Sequence, residues 1–353
     1  MAKARSTAIV LPPNETFSPG KAGAIALVAR RFAQTLPGSV VLGNARDGSF
    51  PGIPFIQARG PVAVIRALAA LRPRVIDVHQ RPRLALLLAR LFPRARVLLF
   101  LHNDPQTMRG LKSRAERARA LRRLHRVVCV SAHLQGRYDA GPGLIPAALH
   151  NPLTLAELPP PSPKEKLILF AGRIAPCKAP DIFIAACAIA LPLLPGWSAR
   201  MIGGKYVVPG SPETRYVALQ RAAAETARVT FLGARPHSEV IENMMRAAIA
   251  VVPSRWPEPF GLVALEALAC GAALISTGQG GLREVSGEAA IYVPPDDANT
   301  LATAIIRLAR DDAARNALAE AGRARARNFD TPAIAARLQA LRGETRSLNP
   351  VPE

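Results

Sequence analysis

The chain has 353 residues, 49% hydrophobic and 5% aromatic, which supplies two cores of ordinary size and excludes a globally disordered polymer. Its formal charge is +21 and the excess is lopsided: residues 1–150 hold 24 Lys and Arg against 6 Asp and Glu, and residues 151–353 hold 22 against 19. A first half that basic is expected to meet an anion, whether a phospholipid surface, a lipid pyrophosphate or a nucleic acid.

Short apolar runs alternate with longer amphipathic ones from end to end. In the first half, strands are expected at 7–11, 40–42, 75–79, 97–101 and 127–130, with helices at 22–35, 61–71 and 113–124 among them. The run 8–11 is too short for a signal peptide. The longest apolar stretch, 84–101, is broken by Arg90, Arg94 and Arg96, so no membrane span is expected. A Pro-rich linker at 159–163 follows, and strands then recur at 167–171, 199–202, 229–232, 248–252, 273–276 and 290–293. This alternation predicts an α/β protein with two parallel sheets, each covered by helices, and a ligand cleft at the C-terminal strand ends. Four segments are expected: a basic N-terminal domain (1–152), a second domain (153–330), a closing helix returning to the first (331–345) and a polar tail (346–353). Cys129, Cys177, Cys187 and Cys270 form no C-x-x-C pair and lie in apolar stretches. They read as small buried residues of a reduced, cytoplasmic protein.

Two segments of the second domain carry chemistry. In S-R-W-P-E-P-F-G-L-V-A-L-E (254–266), a strand runs into a Pro-rich turn and then a helix starting near Gly261. Glu258 precedes the helix and Glu266 lies inside it, roughly 10 Å away, too far to share a proton but suited to gripping separate hydroxyls of one extended ligand. Glu258 and the main-chain N–H groups of Phe260, Gly261 and Leu262 are expected to face that ligand. In A-G-R-I-A-P-C-K (171–178), Gly172 opens a loop carrying Arg173 and Lys178, two cations at a strand's C-terminal end that suit a diphosphate.

Together these segments resemble family 4 of the retaining GT-B glycosyltransferases. The likeness extends through Gly278–Val285, Val293–Asp297, Phe231-Leu232-Gly233 with Arg235-Pro236-His237, and Asn151-Pro152, covering essentially residues 160–340. The first half matches loosely. The resemblance implies two Rossmann-like domains facing across a cleft and a nucleotide-sugar donor (UDP-hexose before GDP-mannose). The acceptor it implies is a cell-envelope glycan or glycolipid. By position, Glu266 would bind the ribose, Glu258 the sugar hydroxyls, and Arg173 and Lys178 the diphosphate. The 231–233 backbone would border the base, and Gly280, Gly281 and Leu282 would line the donor cleft. Gly20 and Gly23 would approach the donor diphosphate, and His102, after the strand 97–101, would stand near the transferred sugar. Asp104 reads as its partner or as a turn cap. No metal or other cofactor is expected, since no D-x-D occurs.

The segment 108–126 bears Arg109, Lys112, Arg114, Arg117, Arg119, Arg122 and Arg123, while Leu111, Ala115, Ala118, Leu121 and Leu124 recur at helical spacing. A helix apolar on one face and basic on the rest is expected to meet an anionic membrane or acceptor, on the inner face of the cytoplasmic membrane. Two other readings compete: a nucleotide-sugar epimerase of similar architecture, and a nucleic-acid-binding protein. Few aromatics and no recognition module speak against nucleic acid.

Overall fold

The computed structural model describes residues 7–204 and 213–343, so the tail expected at 346–353 lies outside the described residues. The chain divides into two compact units: unit 1 combines Met1–Thr154 with Phe329–Glu353, and unit 2 is Leu155–Asn328.

Unit 1 runs β1 (Thr7–Val10), α1 (Ala24–Thr35), β2 (Ser39–Gly43), β3 (Phe55–Gln57), α2 (Gly60–Leu71), β4 (Val75–His79), α3 (Pro82–Leu91), β5 (Arg96–Leu101), α4 (Arg114–Arg123), β6 (Arg126–Cys129), α5 (Ala132–Gly136) and β7 (Ala147–Ala148). Its sheet has the order β3-β2-β1-β4-β5-β6-β7, all parallel. Unit 2 runs β8 (Glu165–Ala171), α6 (Pro180–Ala190), β9 (Ser198–Ile202), α7 (Arg215–Thr226), β10 (Val229–Gly233), α8 (His237–Arg246), β11 (Ala247–Val252), α9 (Leu262–Ala269), β12 (Ala273–Ser276), α10 (Gly281–Ser286), β13 (Ala290–Tyr292), α11 (Ala298–Arg310) and α12 (Asp312–Ala326). Its order is β10-β9-β8-β11-β12-β13, again all parallel. The expected strands are present. The two short edge strands, β3 and β7, carry too few residues to show a period.

Because successive strand side chains face opposite ways, one strand feeds two cores. On β8, Ile168 and Phe170 pack with Phe183, Ile184 and Cys187 of α6 and with Leu301 and Ile305 of α11. Leu167, Leu169 and Ala171 pack with Ile241, Met244 and Met245 of α8. Three of the four cysteines are buried as expected, but Cys177 is part-exposed because it sits in a strand-end loop.

Helix α4 departs from its expected facing. A capping box joins Ser113 and Glu116 at its start. Arg117, expected among the anion contacts, is only 5% exposed. Its guanidinium donates to the carbonyls of Leu111 (2.9 Å), Lys112 (2.8 Å) and Asp139 (2.8 Å), so it ties the helix to the loop before it and to the loop after α5. Ala115, assigned to the apolar face, is exposed instead. Arg114 is paired with Asp139 at 2.9 Å. The surface cations of α4 are therefore Arg119, Arg122 and Arg123, with Arg114 exposed but paired, preceded by Lys112 and Arg109.

The last helix, α13 (Thr331–Gly343), belongs to unit 1 and packs on α1. Arg342 there pairs with Asp77 of β4, both almost wholly buried, and its carbonyl accepts from Arg96 at 2.7 Å. Burial pushes the Asp77 carboxyl up, against the pull of Arg342. Replacing Arg342 by Met strands a buried carboxylate and should destabilise unit 1 by about 3–5 kcal/mol in urea unfolding. Combining it with Asp77→Asn should recover most of that loss. A single-variant change below about 1 kcal/mol would show that the pair does not hold the helix.

Candidate functional site

In an open parallel sheet the loops on either side of the point where strand order reverses splay apart and leave a crevice. In unit 2 that point lies between β8 and β11. Both segments singled out in the sequence leave the sheet there: Gly172–Lys178 follows β8, and Ser254–Gly261 follows β11.

The two loops meet through charge. Glu258 is 5% exposed, its carboxylate paired with the Lys178 ammonium and accepting from the Ser254 hydroxyl at 2.6 Å. Lys178 also lies 5.6 Å from the Trp256 ring centre. The cation expected on a diphosphate and the carboxylate expected on a sugar thus face the same point. Arg255, absent from the expected set, clamps the neighbourhood. It forms a two-pronged pair with Asp181 (2.8 and 2.5 Å), pairs with Asp296, and donates to the Pro176 carbonyl at 2.8 Å. Its main-chain N–H donates to the Cys177 carbonyl at 3.0 Å. Asp181 opens α6 and Arg255 and Asp296 lie in the loops after β11 and β13, so one guanidinium sets the spacing of three segments. Arg173 lies on the same loop as Lys178, its guanidinium 3.7 Å from the Cys177 sulfur.

Glu266, inside α9, is 4% exposed and bonds His237 Nε2 at 2.8 Å. His237 opens α8, directly after β10 and the Phe231–Gly233 turn. The Gly233 carbonyl accepts from Gly203, and the Gly172 N–H donates to Ile202 at 2.9 Å, so the turns after β8, β9 and β10 are joined by main-chain bonds. Phe231 stacks under Arg221, and the Leu232 carbonyl accepts from Arg235 at 3.0 Å.

The loop after β12 closes the group. Glu258 and Gly280 form an isolated bridge, with Glu258 N–H donating to Gln279 (3.2 Å) and Gly281 N–H to the Glu258 carbonyl (2.7 Å). A Cβ on Gly280 would stand 2.5 Å from the Glu258 carbonyl oxygen, and one on Gly281 2.8 Å from Phe260 Cα. Those contacts are possible only without side chains. Gly261 caps α9 at φ +106° just ahead of Leu262. Leu282, expected to line the cleft, is fully buried, as is the Phe260 ring, so their side chains form the floor.

In unit 1 the order reverses between β1 and β4. Gly20 and Gly23 lie in the loop after β1. Gly23 is not open, because the Glu15 carboxylate sits where its Cβ would be, at 2.6 Å, and accepts from Ala26 N–H at the start of α1. His102 follows β5 and is buried. Its Nε2 lies 2.8 Å from Nδ1 of His79, the last residue of β4, and its N–H donates to the Gln80 side chain at 3.2 Å. Burial pushes His102 down to about 3, and burial with the neighbouring His102 and Arg342 charges pushes His79 well down, so both rings are neutral at neutral pH. Asp104 is a turn cap: it accepts from Gln106 N–H at 2.9 Å and pairs with Arg137 at 2.6 Å.

Residues 157–325 match the model of the family described as glycosyl transferases group 1, a span that takes in Lys178, Arg255, Glu258, Glu266 and His237. The second unit is therefore similar to that family over this span. The D-inositol 3-phosphate glycosyltransferase of Corynebacterium diphtheriae is 33% identical over 188 residues, covering 52% of this chain and 44% of that protein. Its namesake in Rhodococcus opacus is 36% identical over 174 residues, covering 47% and 38%. The chain spans less than half the length of these curated relatives. Among solved structures, the sucrose-phosphate synthase of Thermosynechococcus elongatus superposes with a TM-score of 0.77 at 22% identity, covering 96% of this chain and 98% of that one. Anabaena HepE in complex with UDP-glucose gives 0.74 at 19%, covering 95% and 98%. These likenesses show the fold, the two-sheet GT-B architecture.

In unit 2 the sequence does not single out Ser254, Arg255 and His237 as partners, although all three lie inside or beside its motifs. Arg255 was hidden because its acids stand 74 and 41 residues away. In unit 1 the sequence does not single out His79, the end of a predicted strand. The histidine pair makes unit 1 sensitive to acid. Below about pH 6.5 the unfolded histidines take up protons that the folded pair refuses, so stability falls by about 1.4 kcal/mol per pH unit per residue until the folded pair titrates. His102→Gln should reduce the slope of unfolding free energy against pH between 6.5 and 4.5 by about that amount. An unchanged slope would mean that His102 titrates freely.

Proposed function

We propose that this chain is a retaining glycosyltransferase, moving a hexose from a nucleotide diphosphate sugar, UDP-hexose before GDP-mannose, to a hydroxyl of a cell-envelope glycan or glycolipid. The observation that carries the proposal is the paired Lys178–Glu258 group at the switch point of unit 2, within the span that matches the group 1 model, with Glu266 and His237 beside it. Support for a nucleotide-sugar donor comes from the solved HepE complexes, whose ligands are UDP and UDP-glucose.

In this reading Glu266 accepts from the ribose hydroxyls, with His237 holding its carboxylate. Glu258 accepts from the sugar hydroxyls. Lys178, already aimed at that point, shares its charge with the diphosphate once donor arrives, and Arg173 adds a second cation. The bond from the anomeric carbon to the phosphate oxygen breaks and the nucleotide diphosphate leaves with the electron pair. The acceptor oxygen bonds to the same face of that carbon, and its proton passes to the departing phosphate. Fixed cations placed where charge develops are worth several kcal/mol in a dry site, so the proposal needs no metal. No described helix is long and apolar enough to cross a membrane. A cytoplasmic enzyme working on the inner membrane face is the location proposed.

Glu258→Ala should reduce transfer at least about a hundredfold, the scale of a lost charge-bearing contact in the transition state. NMR of the wild-type product should show the donor's anomeric configuration retained. An inverted product, or wild-type turnover in the variant, would refute the mechanism.

A further inference from the structure

Unit 1 contains a cleft of about 530 Å³ beside the end of β4, lined by Arg81, Arg83, Leu84, Leu87, Met108 and Arg109 among others. Its chemistry is two-sided. Leu84, Leu87 and Met108 make one wall, and the apolar surface continues outward: Leu87 and Leu91 are 40% and 48% exposed one helical turn apart on α3. Over the same cleft stand three guanidinium groups, and among the described residues none of the three is paired with a carboxylate. Arg81 precedes α3, whose first turn has no side-chain cap and no acidic residue, so main-chain N–H groups add to the positive field. Burial pulls the Arg81 guanidinium down from its ordinary value with no acid nearby to offset it. Gln80, also on the rim, holds φ +55° and its side-chain carbonyl accepts from His102 N–H, so the cleft abuts the histidine pair. Positive φ in a residue other than glycine costs energy and collects at functional positions.

We propose that this cleft binds the phosphate-bearing head of a lipid, the phosphate held by Arg81, Arg83 and Arg109 and the first carbons of the chain lying on Leu84, Leu87 and Met108. No Trp, Tyr or Phe lines the cleft, which removes the stacking platform a nucleic acid base would use. The site differs from the α4 face expected from the sequence, which it joins only at Arg109. It rests on the reading of the chain as a transferase with a lipid-linked acceptor and names where that acceptor's phosphate goes.

The test is calorimetric titration of the full chain with decyl phosphate below its micelle concentration, alongside decanol and inorganic phosphate. Decyl phosphate should bind saturably and more weakly as salt rises, and decanol and inorganic phosphate should bind at least about tenfold less tightly. The Arg81→Gln/Arg109→Gln variant should weaken decyl phosphate at least about tenfold while melting at the wild-type temperature. Arg119→Gln/Arg122→Gln/Arg123→Gln on α4 should leave it unchanged. Inorganic phosphate binding as tightly as decyl phosphate, unaltered affinity in the cleft variant, or loss in the α4 variant would each overturn the proposal. UDP-glucose is titrated into the same proteins: its failure to bind wild type would count against the donor reading alone, and its unchanged binding to the cleft variant would show that unit 2 is intact.

Discussion

A carboxylate that is nineteen-twentieths buried survives as a charge only beside a cation and a donor, and Glu258 has both in Lys178 and Ser254. Much of unit 2 follows from satisfying that requirement. Lys178 reaches it only if the loop after β8 folds over the loop after β11. Arg255, next to the site, then locks those loops and the one after β13 through Asp181, Pro176 and Asp296. The loop after β12 comes close enough to bond the Glu258 main chain only because Gly280 and Gly281 lack side chains. A set of strand ends becomes a fixed arrangement of charges before any ligand arrives, which is what low-reorganisation catalysis demands.

Unit 1 has the same strand order around its reversal and opposite electrostatics. With so few acids in the first half, several arginines end on carbonyls: Arg31 on Pro152, Arg96 on Arg342, Arg117 on Leu111, Lys112 and Asp139. Arg31 and Arg117, 3% and 5% exposed, are thus hidden from any partner, whereas Arg96 stays exposed. Other cations stand at the surface, among them Arg66, Arg90, Arg119, Arg122 and Arg123. The neutral pair His79–His102 sits at the strand ends, with Arg81, Arg83 and Arg109 on the cleft beside it.

Both parallel sheets were legible because buried strands in such sheets read as short β-branched runs at regular intervals. The meeting of Lys178 and Glu258 at the unit 2 reversal was legible because each lies in one of two short segments. Three kinds of feature were not. Arg255 depends on acids far along the chain, and pairing at that range leaves no local pattern. Arg117 looks like any other basic residue of α4, yet it faces inward, where carbonyls of the preceding loop and of the loop after α5 accept its guanidinium. The His79–His102 contact joins the ends of two strands whose adjacency is a property of the sheet order. Local spacing reports local structure, and these interactions are tertiary.

The central claim is that Glu266 and Glu258 read different parts of one nucleotide sugar. Calorimetric titration of UDP and UDP-glucose into wild type, Glu266→Gln and Glu258→Gln separates the two roles. The account predicts that Glu266→Gln weakens both ligands by the same factor, roughly tenfold for a lost charge-assisted contact. Glu258→Gln should leave UDP nearly unchanged and remove only the additional affinity that the sugar confers. Equal loss of UDP in both variants, or loss in neither, would contradict it.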